Sequence, residues 1–161
     1  HAARQSPSLW SVARRLDARW LRVCAAGVPS LQRFQEALWS DVLGNYLITA
    51  EGTPVAAGGI HRVDLVSGTA WIDAVPVEGR ELETRWEEVE DSLLRAVLSA
   101  WNFRRLLPEH LDHTAPAFSR FTPIGRLQAD TRCDGKLRDR IISMVSRDEV
   151  RRFAGDDQLV R

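Results

Sequence analysis

The chain has 161 residues, with 44% hydrophobic and 27% charged side chains, which suits one soluble domain with a real core. Its formal net charge is zero, without the basic surplus of a nucleic-acid binder, and no apolar run approaches the ~20 residues of a membrane span. Cys24 and Cys133 stand alone without metal-ligand spacing and read as reduced, buried thiols of a cytoplasmic protein. The opening residues, His1-Ala-Ala-Arg-Gln-Ser, show no signal-peptide apolar region, and the absence of an initiator Met suggests either a trimmed chain or a domain excised from a larger protein.

In chain order, Pro7 opens a first helix over 7–18, with Leu9, Val12, Ala13 and Leu16 at helical spacing, followed by a short strand at Trp20–Cys24. Gly27–Ser30 breaks the chain, and Leu31, Phe34, Ala37, Leu38 and Val42 make a second amphipathic helix, with Gly44 as its C-terminal cap. A meander follows: a strand at Tyr46–Ala50, a turn at Glu51–Thr53, a strand from Pro54 through Val66, a turn at Ser67-Gly68 and a strand at Thr69–Val77. Gly58-Gly59 inside a strand signals a bulge or a close backbone approach.

From Glu81 the period changes. Leu82, Trp86, Val89, Leu93, Val97 and Trp101, widened by Leu94 and Leu98, form one apolar helical stripe. Glu83, Arg85, Glu87, Glu88, Glu90, Asp91 and Arg95 fill the opposite face. Phe103–Leu107 then reads as a strand closed by Pro108, Glu109–Thr114 as a polar segment and Ala115–Phe121 as a small helix. Arg126–Cys133 and Arg138–Val145 pair across Asp134-Gly135, and Ser146 with Glu149 has the capping-box spacing that opens a terminal helix through Phe153. Residues 155–161 read as a frayed tail, which gives one domain over 1–161 with its core at about 20–153.

This order of helix, three-strand meander, long helix, strand and terminal hairpin resembles the GNAT (Gcn5-related) N-acyltransferase superfamily. The likeness is sharpest to the branch that acetylates ribosomal-protein N-termini, whose hairpin carries the equivalents of Asp134-Gly135, Asp139, Ser146 and Glu149. A second, weaker match lays Gly79–Trp86 on that branch's phosphate loop. The resemblance implies an α+β fold, with a mixed, mostly antiparallel central sheet of six to seven strands flanked by helices. It also implies acetyl-CoA as co-substrate, with no metal.

By the same resemblance, the backbone of Ala74, Val75 and Val77 would hold the thioester arm, and Gly79, Arg80 and Thr84 would contact the pyrophosphate. Glu81 stands where the pattern has its second Gly, and Glu78, Glu81 and Glu83 place three carboxylates where phosphates would dock. Acidic residues suit a first helical turn on their own account, so an ordinary helix start and a pyrophosphate cradle remain two readings of this segment. Asp112 aligns with an Asn that contacts the pantetheine arm. Ser119 aligns with the Tyr that protonates the departing thiolate, although a serine hydroxyl is a poor general acid.

Transfer to an amine needs a base. Asp73 on the strand before the helix, and His61 or Asp64 on the strand before that, are the available groups. Strand parity puts Trp71, Asp73 and Val75 on one face, where burial would raise the pKa of Asp73; a paired or solvent-facing Asp is the structural alternative. Trp71 is the tryptophan placed to line an acceptor pocket. His110, Asp112 and His113 cluster without helical register and read as polar loop lining rather than a metal site. Two functions are therefore open: acetyl transfer from acetyl-CoA to a small-molecule or N-terminal amine, or a catalytically silent module of this fold serving assembly beside a neighbouring domain or in a homodimer.

Overall fold

The computed structural model describes residues 41–77, 86–112, 118–133 and 135–154. The expected elements before Asp41, the loop from Glu78 to Arg85 with its candidates Gly79, Arg80 and Thr84, residues 113–117 and the tail from Gly155 lie outside these residues. The described elements are β1 (Val42–Ala50), β2 (Thr53–Asp64), β3 (Thr69–Pro76), α1 (Trp86–Ala100), β4 (Arg105–Leu107), β5 (Glu109–Leu111), β6 (Thr122–Cys133), β7 (Lys136–Ser146) and α2 (Arg147–Ala154).

These strands form one seven-stranded sheet in the order β1-β2-β3-β4-β7-β5, with β6 paired to β7. Every pairing is antiparallel except β3 with β4. Ala50 pairs with Thr53, so Glu51 (φ 50°) and Gly52 (φ 78°) make the two-residue turn with left-handed central residues that matches strand twist. The β2–β3 turn is held by Asp64, whose Oδ1 accepts from the Val66 and Ser67 N–H groups at 2.9 and 3.2 Å.

The apolar stripe of α1 is buried as its period requires. Leu93, Leu94, Val97 and Leu98 pack on Ile60, Ile72 and Ala74 of the sheet, with Phe103, Leu106, Phe118, Phe121, Val145 and Val150 completing the core. Full burial of each such aliphatic side chain contributes about 1.5–3 kcal/mol. Gly58 lies under this layer. A Cβ there would sit 2.6 Å from the Asp73 carbonyl oxygen and 3.0 Å from Leu93 Cδ2, so the close approach signalled by the glycine pair occurs at this residue. The last turn of α1 carries no basic residue, and Arg147 supplies one from α2, donating to the carbonyls of Leu98 at 3.0 Å and Trp101 at 3.1 Å.

The terminal hairpin and its cap form as read. Ser146 Oγ accepts from the Glu149 N–H at 3.2 Å, while Glu149 Oε2 accepts from the Ser146 N–H at 2.7 Å. Four expectations are corrected. Val42 and Gly44 lie in β1, beside a register shift, so Gly44 ends no helix. Strand β2 stops at Asp64, and Leu65 and Val66 project from the turn, 78% and 99% exposed. Trp101 falls beyond the end of α1 and is 37% exposed, because the stripe's last buried residue is Leu98. The segment read as polar after Pro108 is strand β5, since β7 offers it a free ladder from Arg140 to Ile142.

Candidate functional site

The site begins with a failure of pairing. One edge of β3 is joined to β2 from Asp64↔Thr69 to Ala56↔Pro76, whereas the other meets β4 only at Thr69↔Arg105, Ala70↔Leu106 and Trp71↔Leu107. On its far edge β4 already pairs with β7 at Val145–Ser146, and beyond Leu107 the chain stays with β7 as β5, paired with Arg140–Ile142. Pro108 sits at the handover, its carbonyl accepting from the Ser143 N–H at 3.0 Å. The sheet therefore splays into a wedge between β3 and β5.

Backbone polarity on the open edge follows from one hydrogen bond. The Val77 N–H donates to the Val55 carbonyl at 2.9 Å, so the odd-numbered residues of β3 turn their peptide groups toward β2. By alternation the even-numbered residues turn theirs the other way: the Trp71↔Leu107 pair takes up the Ile72 N–H, the C=O of Ile72 and both groups of Ala74 face the wedge beyond it, and Pro76 has no N–H to leave unpaired there. Such an edge can pair with an extended, amide-bearing ligand. Among the expected contacts of a thioester arm, Ala74 thus lies on this edge, Val75 turns its peptide toward β2, and Val77 is tied to Val55.

The side chains follow strand parity. Ala70, Ile72 and Ala74 face α1, and Trp71, Asp73 and Val75 face the other side. His61, opposite Trp71, joins that second face, and its Nε2 lies 3.5 Å from Asp73 Oδ2. Both side chains are largely buried, at 5% and 14% exposure. The structure thus unites two candidates that the sequence named separately. An imidazole beside a carboxylate at this distance is an arrangement suited to accepting a proton, since the negative charge favours the imidazolium. Asp64 is instead spent on its turn, and its hydrogen bonds to Ser67 hold its carboxyl below the usual range.

Ser119 and Asp112 lie apart from this pair. Ser119 donates from both its N–H and its Oγ to Glu90 Oε2, at 3.2 and 3.1 Å, and the Arg120 N–H donates to Glu90 Oε1 at 3.4 Å. Glu90 is only 1% exposed, so α1 holds this turn by a buried carboxylate that accepts three hydrogen bonds. The hydroxyl proton of Ser119 is thereby committed to Glu90. Asp112 is exposed and tied through its N–H to the Asp139 carbonyl at 3.0 Å. The first turn of α1 presents Glu87 and Glu88.

Sequence reasoning missed Glu90, Arg62 and Glu109. Glu90 shares the polar periodicity of its neighbours, and nothing local announces its burial. Arg62 has φ 46° at a register shift between His61 and Asp64, an extra residue that turns its side chain onto the Trp71 face. Glu109 is 6% exposed and lies between Arg62 and Arg140, each 3.1 Å away.

No protein-family model matches the chain, and no curated protein is similar to it in sequence. Solved structures do share its fold. A RimL ribosomal L7/L12 α-N-protein acetyltransferase in complex with coenzyme A superposes with a TM-score of 0.73 at 14% identity, over 90% of each chain. A probable GNAT-family acetyltransferase from Chromobacterium violaceum gives 0.68 at 18% identity, over 92% of this chain and 81% of that one. A chimera of the Vibrio cholerae spermidine N-acetyltransferase SpeG and hSSAT gives 0.71 at 8% identity, over 91% and 93%. The chain has the fold of the GNAT N-acetyltransferases, a mostly antiparallel open sheet of seven strands among the described residues, with helices packed on it. No helix among the described residues is long and apolar enough to cross a membrane.

Proposed function

We propose that the protein transfers an acetyl group from acetyl-CoA to a primary amine by direct attack on the thioester. The observation that carries this reading is the wedge: β3 leaves β4 after Trp71 and offers the Ile72 carbonyl and the peptide groups of Ala74 to an extended ligand. The amide groups of a pantetheine arm match that edge in kind, and of the three residues the resemblance names, Ala74 is the one whose peptide groups meet it. Gly79, Arg80 and Thr84 take the pyrophosphate, and Asp112 takes the place of the arm-contacting Asn, as the resemblance implies. The amine nitrogen bonds to the carbonyl carbon as the carbon–sulfur bond breaks, and the proton it sheds passes to His61, oriented by Asp73.

Ser119 holds the turn through Glu90, and the departing thiolate takes its proton from water. Acceptors of the class fit as small-molecule amines or peptide N-termini. The second reading, a silent module of the same fold, draws on Glu87 and Glu88 in the first turn of α1 and on the engaged hydroxyl of Ser119.

Thiol release from acetyl-CoA in the presence of an amine panel tests the proposal. His61→Gln and Asp73→Asn are expected to lower turnover by about 10²–10⁴-fold with acetyl-CoA affinity intact. Full turnover in both variants would remove this pair from the chemistry, and no thiol release from the wild-type protein with any amine would favour the silent module.

A further inference from the structure

We infer that Arg62 is the specificity residue for an acceptor carrying a carboxylate a few bonds from its amine; this rests on the transferase reading of the same wedge. Arg62 has φ 46°, a backbone region that non-glycine residues enter at a cost, and it occupies the extra position between His61 and Asp64. Without that insertion its side chain would share the face of Ile60. With it, the guanidinium carbon lies 5.0 Å from the centre of the Trp71 ring. From there the side chain reaches Glu109 of β5, donating to Oε1 at 3.1 Å and Oε2 at 3.4 Å, and so spans the wedge.

Two guanidiniums share one carboxylate at this point. Arg140 also donates to Glu109 Oε2 at 3.1 Å, so Arg62, Glu109 and Arg140 together carry one net positive charge. Asp130 offsets Arg140, its Oδ2 accepting from Arg140 Nε at 2.6 Å. Arg62 remains 42% exposed, against 6% for Glu109. A guanidinium has five donors, and the two directed at Glu109 leave others for a second carboxylate, which it can grip in a fork. On the same face, Asp73 follows Trp71 by two residues, about 6.5–7 Å along the strand. A positive group and a negative one, a strand pitch apart, complement a zwitterion: its carboxylate on Arg62 and its ammonium toward Asp73 and His61.

Calorimetric titration of γ-aminobutyrate and of its neutral amide into the protein, without acetyl-CoA, tests this directly. The acid is expected to bind about tenfold or more tighter than the amide. Arg62→Met is expected to erase the difference and Arg62→Lys to restore part of it, with thermal melts confirming that both variants are folded. Equal affinity of acid and amide for the wild-type protein, or a preference surviving in Arg62→Met, would overturn the inference. A parallel titration with acetyl-CoA separates the two levels. Acid preference without acetyl-CoA binding leaves the Arg62 site standing and removes the transferase reading, whereas acetyl-CoA binding without acid preference removes only the Arg62 site.

Discussion

Along one edge β3 is paired with β2 from Thr69 to Pro76, while along the other it is paired with β4 only from Thr69 to Trp71. The strand is the same, so the difference lies in its neighbours. On the closed edge a short turn fixes register and Gly58 lets the backbones and Leu93 meet closely. On the open edge the chain is drawn off by β7, which pairs with β4 and β5 in succession across Pro108. What spans the gap on the Trp71 face is the charged pair of Arg62 and Glu109 rather than a ladder. A rigid half and a withheld half of one sheet thus create an aligned backbone edge that no other described strand pairs, which is what a ligand-binding strand needs.

The comparison can be broken most strongly from the closed side. Leu93→Ala removes a fully buried side chain from between α1 and β2–β3 and is expected to cost about 2–5 kcal/mol in urea unfolding. A loss under 1 kcal/mol would mean that the α1 layer does not hold that half of the sheet. Gly58→Ala places a methyl 2.6 Å from a backbone oxygen and is expected to cost about 1–3 kcal/mol. It should also displace Asp73 and weaken turnover beyond the stability loss; unchanged activity would separate the packing of the closed edge from the chemistry beside it.

The smallest effect belongs to the open side. Burial holds the imidazole of His110, on β5, below its usual value of about 6.5. The unfolded chain therefore takes up this proton first as the pH falls. Stability from this group is full above about pH 6.5 and declines below it, down to the lowered native value. His110→Gln should flatten that segment of the stability–pH curve, read by urea midpoints from pH 5 to 8; an unaltered slope would place His110 in a solvated environment.

The legible parts of this fold are those written in local pattern. The α1 stripe at Val89, Leu93, Val97 and Leu98, the hairpin turn at Gly135 with φ 76°, and the reciprocal cap of Ser146 and Glu149 each follow from residues within a few positions of one another. The features that escaped depend on distant partners. Glu90 reads as solvent-facing until a turn 29 residues away offers it the Ser119 N–H and hydroxyl. Glu109 and His110 read as loop because their strand character comes from β7. Gly44 carries the same signal in a strand as at a helix end, and only the pairing near Ile60 decides between them. In the sequence His61 and Asp73 are alternative bases; their 3.5 Å approach comes from the β2–β3 register, in which His61 lies opposite Trp71 and Gly59 opposite Asp73.

The central claim is that the open edge of β3 receives an acyl-CoA thioester, and calorimetry with acetyl-CoA tests it most directly. The account predicts binding in the micromolar range, near −8 kcal/mol at about 1 μM, weakened at least tenfold by Arg80→Glu. A folded protein that shows no heat with millimolar acetyl-CoA would contradict it.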